Sequence, residues 1–362
     1  MQRALLAFGA LAGVVAVYFL AWPVPVDPVA WSPPADEGLT GAYSPNEILA
    51  LARGIDLGGH TGPEDVAIDG DGALYASVLE GAIVRIRRRG NPVVFAETGG
   101  RPLGIDALPD GAFVVANAVL GLQRVETDGR VSVLVDRTGD VPLRYTNGVA
   151  AAASGRIYLT EASTKFGAAE YGGTLEASLL DILEHGGHGR LLEHDPATGV
   201  TRLLLDRLNF ANGVAVSENQ QYLLLAETGS YRILRYWIAG PRRGASEVLL
   251  DNLPGFPDNV DNGLNGRYWI GLVAPRNRLL DRYAGRPFLR KLMQRLPPAL
   301  RPEPGRSSHV IAIDGDGQVL MNLQDPDARF PLLTGTLELP DRLILTTLDG
   351  PVLPWIDKND LL

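Results

Sequence analysis

The sequence predicts an all-β fold: one six-bladed β-propeller with two helical insertions, preceded by an N-terminal apolar anchor helix. Three observations point there: a pattern that recurs six times, spacings that suit one four-stranded blade, and turn residues separating paired apolar runs. Each copy begins with a polar residue, sets an aliphatic residue two positions on, and passes through a short loop into a β-rich run. The clear copies are EDVAIDGDGALYASV from Glu64, NGVAAAASGRIYLTEAS from Asn147, NGVAVSENQQYLLLAET from Asn212 and DNVDNGLNGRYWIGLV from Asp258. Weaker copies start at Leu103 and Gly335, so the spacings are 39, 44, 65, 46 and 77 residues. The short spacings match a blade of about 40–50 residues, and the long ones are the same unit with an insertion.

The elements follow in chain order. Residues 1–22 hold an uncharged run from Ala4 to Trp22 behind Arg3. Its length suits a bilayer-spanning helix. The run ends in Trp22-Pro23-Val24-Pro25 with no small-x-small cleavage site, which favours an uncleaved anchor over a secretory signal. Arg3 before it, with Asp27, Asp36 and Glu37 after it, places the body on the periplasmic or extracellular side. Cleavage would make the same body a secreted protein. Residues 23–44, rich in Pro and acidic side chains, read as a linker, and 45–362 as the propeller.

Two insertions lengthen the blades. Residues 164–189 place Leu175, Leu179, Ile182 and Leu183 at helical spacing. Residues 275–307 carry nine Arg or Lys against Asp281 and Glu303, interleaved with Leu, Phe, Tyr and Met. That composition fits a basic amphipathic lid able to lie on an anionic membrane, or a solvated helix packed on its own blade.

Composition narrows the chemistry. The 362 residues include no Cys, which excludes disulfides, thiol nucleophiles, Fe–S clusters and Cys-ligated zinc. A net charge of −9 argues against a nucleic-acid partner. No G-x-S-x-G elbow is present, so Ser/His/Asp catalysis has no support.

In a propeller the first strand of each blade lines the central channel, so residues in register at the strand starts form a ring. Here the ring reads Glu64, Leu103, Asn147, Asn212, Asp258 and Gly335, with Asn259 beside Asp258. Two carboxylates and two amides, without a soft ligand, suit one Ca²⁺ ion. A purely structural polar mouth is the alternative, since an Asn-Gly pair alone signals a turn. His60, four residues before Glu64, is a candidate proton shuttle or a plain loop histidine. His185 and His188 belong to the first insertion, while His194 and His309 read as structural. The GDG and DGDG stretches at 69–72 and 314–317 read as tight turns.

Several motifs carry a family resemblance: GPEDVAID (62–69), GRPLGI (100–105), GRLLEHDPATG (189–199), FANGVAVS (210–217) and LPGFPDNV (253–260). In this order they resemble the strictosidine synthase-like, adipocyte plasma membrane-associated protein-like branch of the calcium-dependent phosphotriesterase superfamily, which also contains paraoxonase and gluconolactonase. The resemblance implies that Glu64, Asn147, Asn212 and Asp258 bind a catalytic calcium, with Asn259 matching a further ligand of the paraoxonase-like members. It implies a metal acting on a carbonyl or phosphoryl oxygen, with Asp258 activating water or attacking directly. The expected activity is hydrolysis of a small, apolar ester or lactone; a non-catalytic propeller docking a partner or lipid is the rival. Gly148 stands where relatives with a second calcium have Asp, and no His lies between His60 and His185 to form a paraoxonase-like pair. Gly335 occupies the position at which plant synthases carry a Glu, which disfavours carbon–nitrogen condensation.

Overall fold

A computed structural model describes residues 2–361, without the side chains of residues 4, 5, 11, 12, 15 and 16. Six four-stranded antiparallel sheets follow one another around a channel, as the repeat requires. Their inner strands are Asp65–Ile68, Pro102–Ala107, Thr146–Ala151, Ala211–Val216, Gly255–Asn262 and Leu333–Glu338. The ring closes across the termini: Arg53–Asp56 pairs with Val352–Asp357 and completes the sixth blade as its outermost strand. Apolar clusters fill the wedges between neighbouring sheets, for example Leu57, Val66, Ala76, Val84, Ile344 and Leu353 between blades six and one.

Neighbouring inner strands approach so closely that glycine is required. A Cβ on Gly213 would lie 2.4 Å from the Asn259 Cα, and one on Gly148 would lie 2.7 Å from the Asn212 carbonyl oxygen. The Asn-Gly pairs therefore mark strand packing around the channel rather than hairpin turns. The same contact leaves no room for the side chain that relatives with a second calcium place at position 148.

Both insertions join the second and third strands of a blade, which puts them on the face where the inner strands begin. The first holds helix α2 (Thr174–Glu184); the second holds α3 (Arg278–Arg282) and α4 (Pro287–Arg295). Helix α2 buries Ala177, Leu180, Asp181 and Glu184, whereas Leu175 and Leu179 are 45 % and 39 % exposed. The apolar face expected from Leu spacing is thus corrected: the buried face carries two carboxyls, Glu184 bonded by Lys165 and His188, and Asp181 raised to about 7 by burial. The second insertion also turns part of its charge inward, with Arg276, Arg290 and Arg295 all buried.

The first helix, α1 (Gln2–Ala21), exposes Leu6, Phe8, Val14, Val17 and Leu20, and only its C-terminal end touches α4. Among the described residues no helix is long and apolar enough to cross a membrane. The expected transmembrane anchor is therefore not shown, and several of the apolar residues behind that expectation lie outside the described side chains. Residues 23–44, expected to be a linker, carry no regular element beyond one turn at Gly41–Tyr43, yet they are bound along their length. The Val29 N–H donates to the Glu184 carbonyl (2.8 Å), and Trp31 stacks on His185 with ring centroids 3.9 Å apart. Arg290, fully buried, donates to the carbonyls of Val29, Ala284 and Leu183, so one guanidinium rivets this strap to both insertions.

Candidate metal and active site at the channel mouth

The ring candidates lie at the inner strands around the channel. Glu64, Asn147, Asn212, Asp258 and Asn259 are all at most 5 % exposed and stand at the starts of inner strands of blades one, three, four and five. Pairing with the second strand slips at this level in five blades: between Pro102 and Ile105, Thr146 and Val149, Ala211 and Val214, Pro257 and Val260, and Leu333 and Thr336. Each slip is a bulge, which frees the ring residue from the ladder and re-aims its side chain.

Hydroxyls hold the bulges. Thr160 Oγ1 accepts from the Gly148 N–H and donates to the Asn212 carbonyl, both at 2.7 Å. Ser77 donates to the Leu103 carbonyl, Thr228 to that of Pro257 and Thr334 to that of Glu64, at 2.6–2.7 Å. In each case one blade fixes the ring backbone of the next. The side-chain amides then orient the oxygens. Asn212 gives its NH₂ to Thr228 Oγ1 (3.2 Å), and Asn259 gives its NH₂ to the carbonyl and Oε1 of Glu64.

What remains is a set of buried oxygens without donors among the described residues: Glu64 Oε2, Asn147 Oδ1 and Asn212 Oδ1. Beside them, burial and the charge of Glu64 push the Asp258 carboxyl well above its ordinary range. Glu64 itself is raised to about 8 by burial, with Asp65 adding to the effect. Two buried carboxyls that feel each other's charge, beside two buried amide oxygens without donors, suit a cation. All are hard donors, so the residues fit calcium and not zinc. Among the described residues no group of three or more His, Cys, Asp or Glu is placed to hold a metal, as expected for a site half made of amides.

The remaining candidates lie elsewhere. His60 is on the rim, where its Nδ1 is 3.5 Å from Glu80 Oε2, and no contact joins it to Asp258 or Glu64. His194 bonds Thr201 and His309 bonds Asn322, both inside hairpins. Asp69 and Asp314 each accept N–H groups two and four residues on, which makes their loops turns. At Gly335 a Cβ would lie 2.4 Å from Asp261 Oδ2, so the sixth blade has no space for a ring side chain. Glu338 is held far down the same strand by Trp269 Nε1 and Lys358.

Sequence reasoning missed the layer above the ring. Two residues before each ring position stand Gly62, Arg101, Tyr145, Phe210, Phe256 and Leu333. Tyr145 and Phe210 meet edge to face at 5.4 Å, and both pack with Leu103, with Ala177 and Leu180 of α2, and with Val26 of the strap. Tyr145 also donates its hydroxyl to the Thr174 carbonyl of α2 (2.8 Å), which ties the roof to the mouth. Reading the repeat register two residues upstream would have found this layer.

A six-bladed propeller with an oxygen-lined channel mouth beneath a helical roof is the class of protein defined here. Solved structures match this fold along most of the chain. They include a gluconolactonase of Xanthomonas campestris (TM-score 0.63, 20 % identity, 93 % of this chain and 99 % of that one). A second is regucalcin, a calcium-binding protein of Agrobacterium tumefaciens (TM-score 0.57, 16 % identity, 84 % and 93 %). At such identities they establish the fold alone. Sequence goes further: the strictosidine synthase pattern matches residues 147–241 and the strictosidine synthase-like N-terminal pattern residues 41–86. The bovine (Bos taurus) adipocyte plasma membrane-associated protein is 32 % identical over 330 residues, covering 84 % of this chain and 78 % of its own. Strictosidine synthase-like protein 7 of Arabidopsis thaliana is 34 % identical over 294 residues, covering 78 % and 75 %. The chain belongs to this strictosidine synthase-like family.

Proposed function

We propose that the protein is a calcium-dependent hydrolase of apolar esters or lactones, held at a membrane by α1. The observation that carries this reading is the set of donor-less buried oxygens at the mouth: Glu64 Oε2, Asn147 Oδ1 and Asn212 Oδ1, beside Asp258. Glu64, Asn147, Asn212 and Asp258 would hold the ion, with Asn259 orienting Glu64 through its NH₂. When bound, calcium supplies a Lewis acid for a carbonyl or phosphoryl oxygen. Asp258 takes the proton of the attacking water on its carboxylate, or attacks directly. The aromatic layer receives the apolar part of the substrate, and the roof keeps bulk water out. A proton-relay role for His60, paired with Glu80 on the rim, has no contact with Asp258 or Glu64 to carry it.

Exposed apolar side chains along α1 support the membrane part, since a row of Leu, Phe and Val at more than 60 % exposure needs an apolar cover. The closed roof favours a second reading, a non-catalytic propeller that docks a partner or lipid. Calcium content and turnover of a phenyl acetate and lactone panel separate the two, using the full chain with and without chelator beside Asp258→Asn. One calcium per chain, with turnover lost in chelator and in the variant, supports the hydrolase. Bound calcium without turnover supports the docking propeller, and absence of calcium removes the basis of both. Flotation of the full chain with liposomes, but not of residues 23–362, tests the membrane part.

A further inference from the structure

Among the six residues of the layer above the ring, one is charged. Arg101 is 7 % exposed, and its Nη2 donates to the Gly62 carbonyl at 3.1 Å. Its Nε and Nη1 are buried and have no acceptor among the described residues. A guanidinium is always charged, and leaving two of its buried nitrogens unpaired is costly unless a ligand completes them. Tyr145 is close enough for its charge to act on Arg101, and apolar Phe210, Phe256 and Leu333 occupy the equivalent positions of other blades. Glu64 and Glu80 are the acidic groups whose field reaches it, and no carboxylate bonds it directly.

We propose that Arg101 is the anion-binding residue of the mouth, and that the ligand is a small molecule with an apolar or aryl body and a carboxylate. The guanidinium binds the carboxylate through Nε or Nη1, and the aromatic layer covers the body. A divalent cation on Glu64 and Asp258 neutralises the ring and leaves Arg101 as the uncompensated charge, so the loaded mouth suits a monoanion. For that net charge the inference rests on the calcium reading; the unpaired N–H groups stand without it. Phosphate-free, thiol-free chemistry is sufficient, because no covalent step is required of Arg101.

The test compares phenylacetate with its neutral near-isostere phenylacetamide, by calorimetry on the full chain, with calcium and again in chelator. The calcium-loaded wild type is expected to bind the carboxylate at least about tenfold more tightly, the scale of a buried charge-assisted hydrogen bond. Arg101→Gln should bring the two ligands to parity with its calcium content unchanged, and Arg101→Lys should recover part of the preference. A wild type without preference, or an Arg101→Gln protein that keeps it, overturns the proposal. Should Arg101→Gln not fold, the wild-type comparison and Arg101→Lys decide. If no calcium binds, the calcium reading fails by itself, and the preference measured in chelator still decides the role of Arg101.

Discussion

Thr160 and Asn259 act on the ring through other residues. Thr160 fixes the Gly148 N–H and the Asn212 carbonyl, and Asn259 fixes Glu64, so each sets where a ligand oxygen points. Outer partners of this kind typically govern 10–100-fold in metal affinity. Thr160→Val and Asn259→Ala should each weaken calcium binding by about tenfold or more, measured by competition with a calcium chelator dye, with melting temperatures that change little. Unchanged affinity would show that the bulges hold themselves. The ring residues were legible in the sequence because they share one register and one chemistry. Their supports were not, because a threonine on the second strand reads only as a β-former until the neighbouring blade is in place. Arg101 was invisible for a related reason: nothing in its type shows that two of its nitrogens find no acceptor among the described residues.

The strap and α2 form the element on which the roof depends, and its charges predict an acid response. Burial alone would raise the Glu184 carboxyl, but hydrogen bonds from His188, Lys165 and the Asp27 N–H outweigh it and bring the value down to about 2. A carboxylate lowered in this way stabilises the fold above about pH 4.3, and the contribution disappears as pH falls towards 2. Burial, aided by Arg290 and Arg232, lowers His185 to about 3. The unfolded or detached form then takes up the proton first, so this contribution is complete above about pH 6.5 and fades as pH falls towards 3. Both groups therefore weaken the roof in acid, whereas the Asp181 carboxyl, raised to about 7 by burial, works the other way between pH 7 and 4. Hydrogen exchange over residues 24–34 should accelerate as pH is lowered from 4 towards 2, where the Asp181 effect is complete, after correction for intrinsic rates. His185→Phe, which keeps an aromatic ring against Trp31, should flatten the upper part of that change. Arg290→Ala removes three carbonyl partners and should cost about 3 kcal/mol, read as a lower melting temperature and early protease cleavage near Val29. Leu periodicity gave α2 its existence but not its orientation, because the buried face is held by ion pairs from residues outside the helix. The Pro-rich composition of 23–44 likewise hid a bound strap, whose partners lie up to 281 positions away.

The whole molecule depends on close contact of six inner strands. Gly213→Ala would force Asn259 and Val260 aside at the channel wall and should destabilise the propeller by about 3 kcal/mol, with calcium binding lost in parallel. Gly70→Ala, where a Cβ meets nothing within 4 Å, is the control and should melt like the wild type. The blade count and boundaries could be read from the repeat, since each blade is a local unit of regular length. Closure could not, because the strand Arg53–Asp56 has no copy of the motif and is recognised only through its pairing with Val352–Asp357.

The strap has one consequence for how the protein is handled. A fragment begun at residue 45 retains all six sheets and every ring residue, and would pass as the intact domain by circular dichroism. It would nevertheless lack Val26 above Tyr145 and Phe210, the ring that covers His185, and one of the three carbonyls gathered by Arg290. Both insertions would lose the piece of chain that joins them. Such a fragment is a propeller with an open top, and the ligand selectivity it displays would not be that of the full chain.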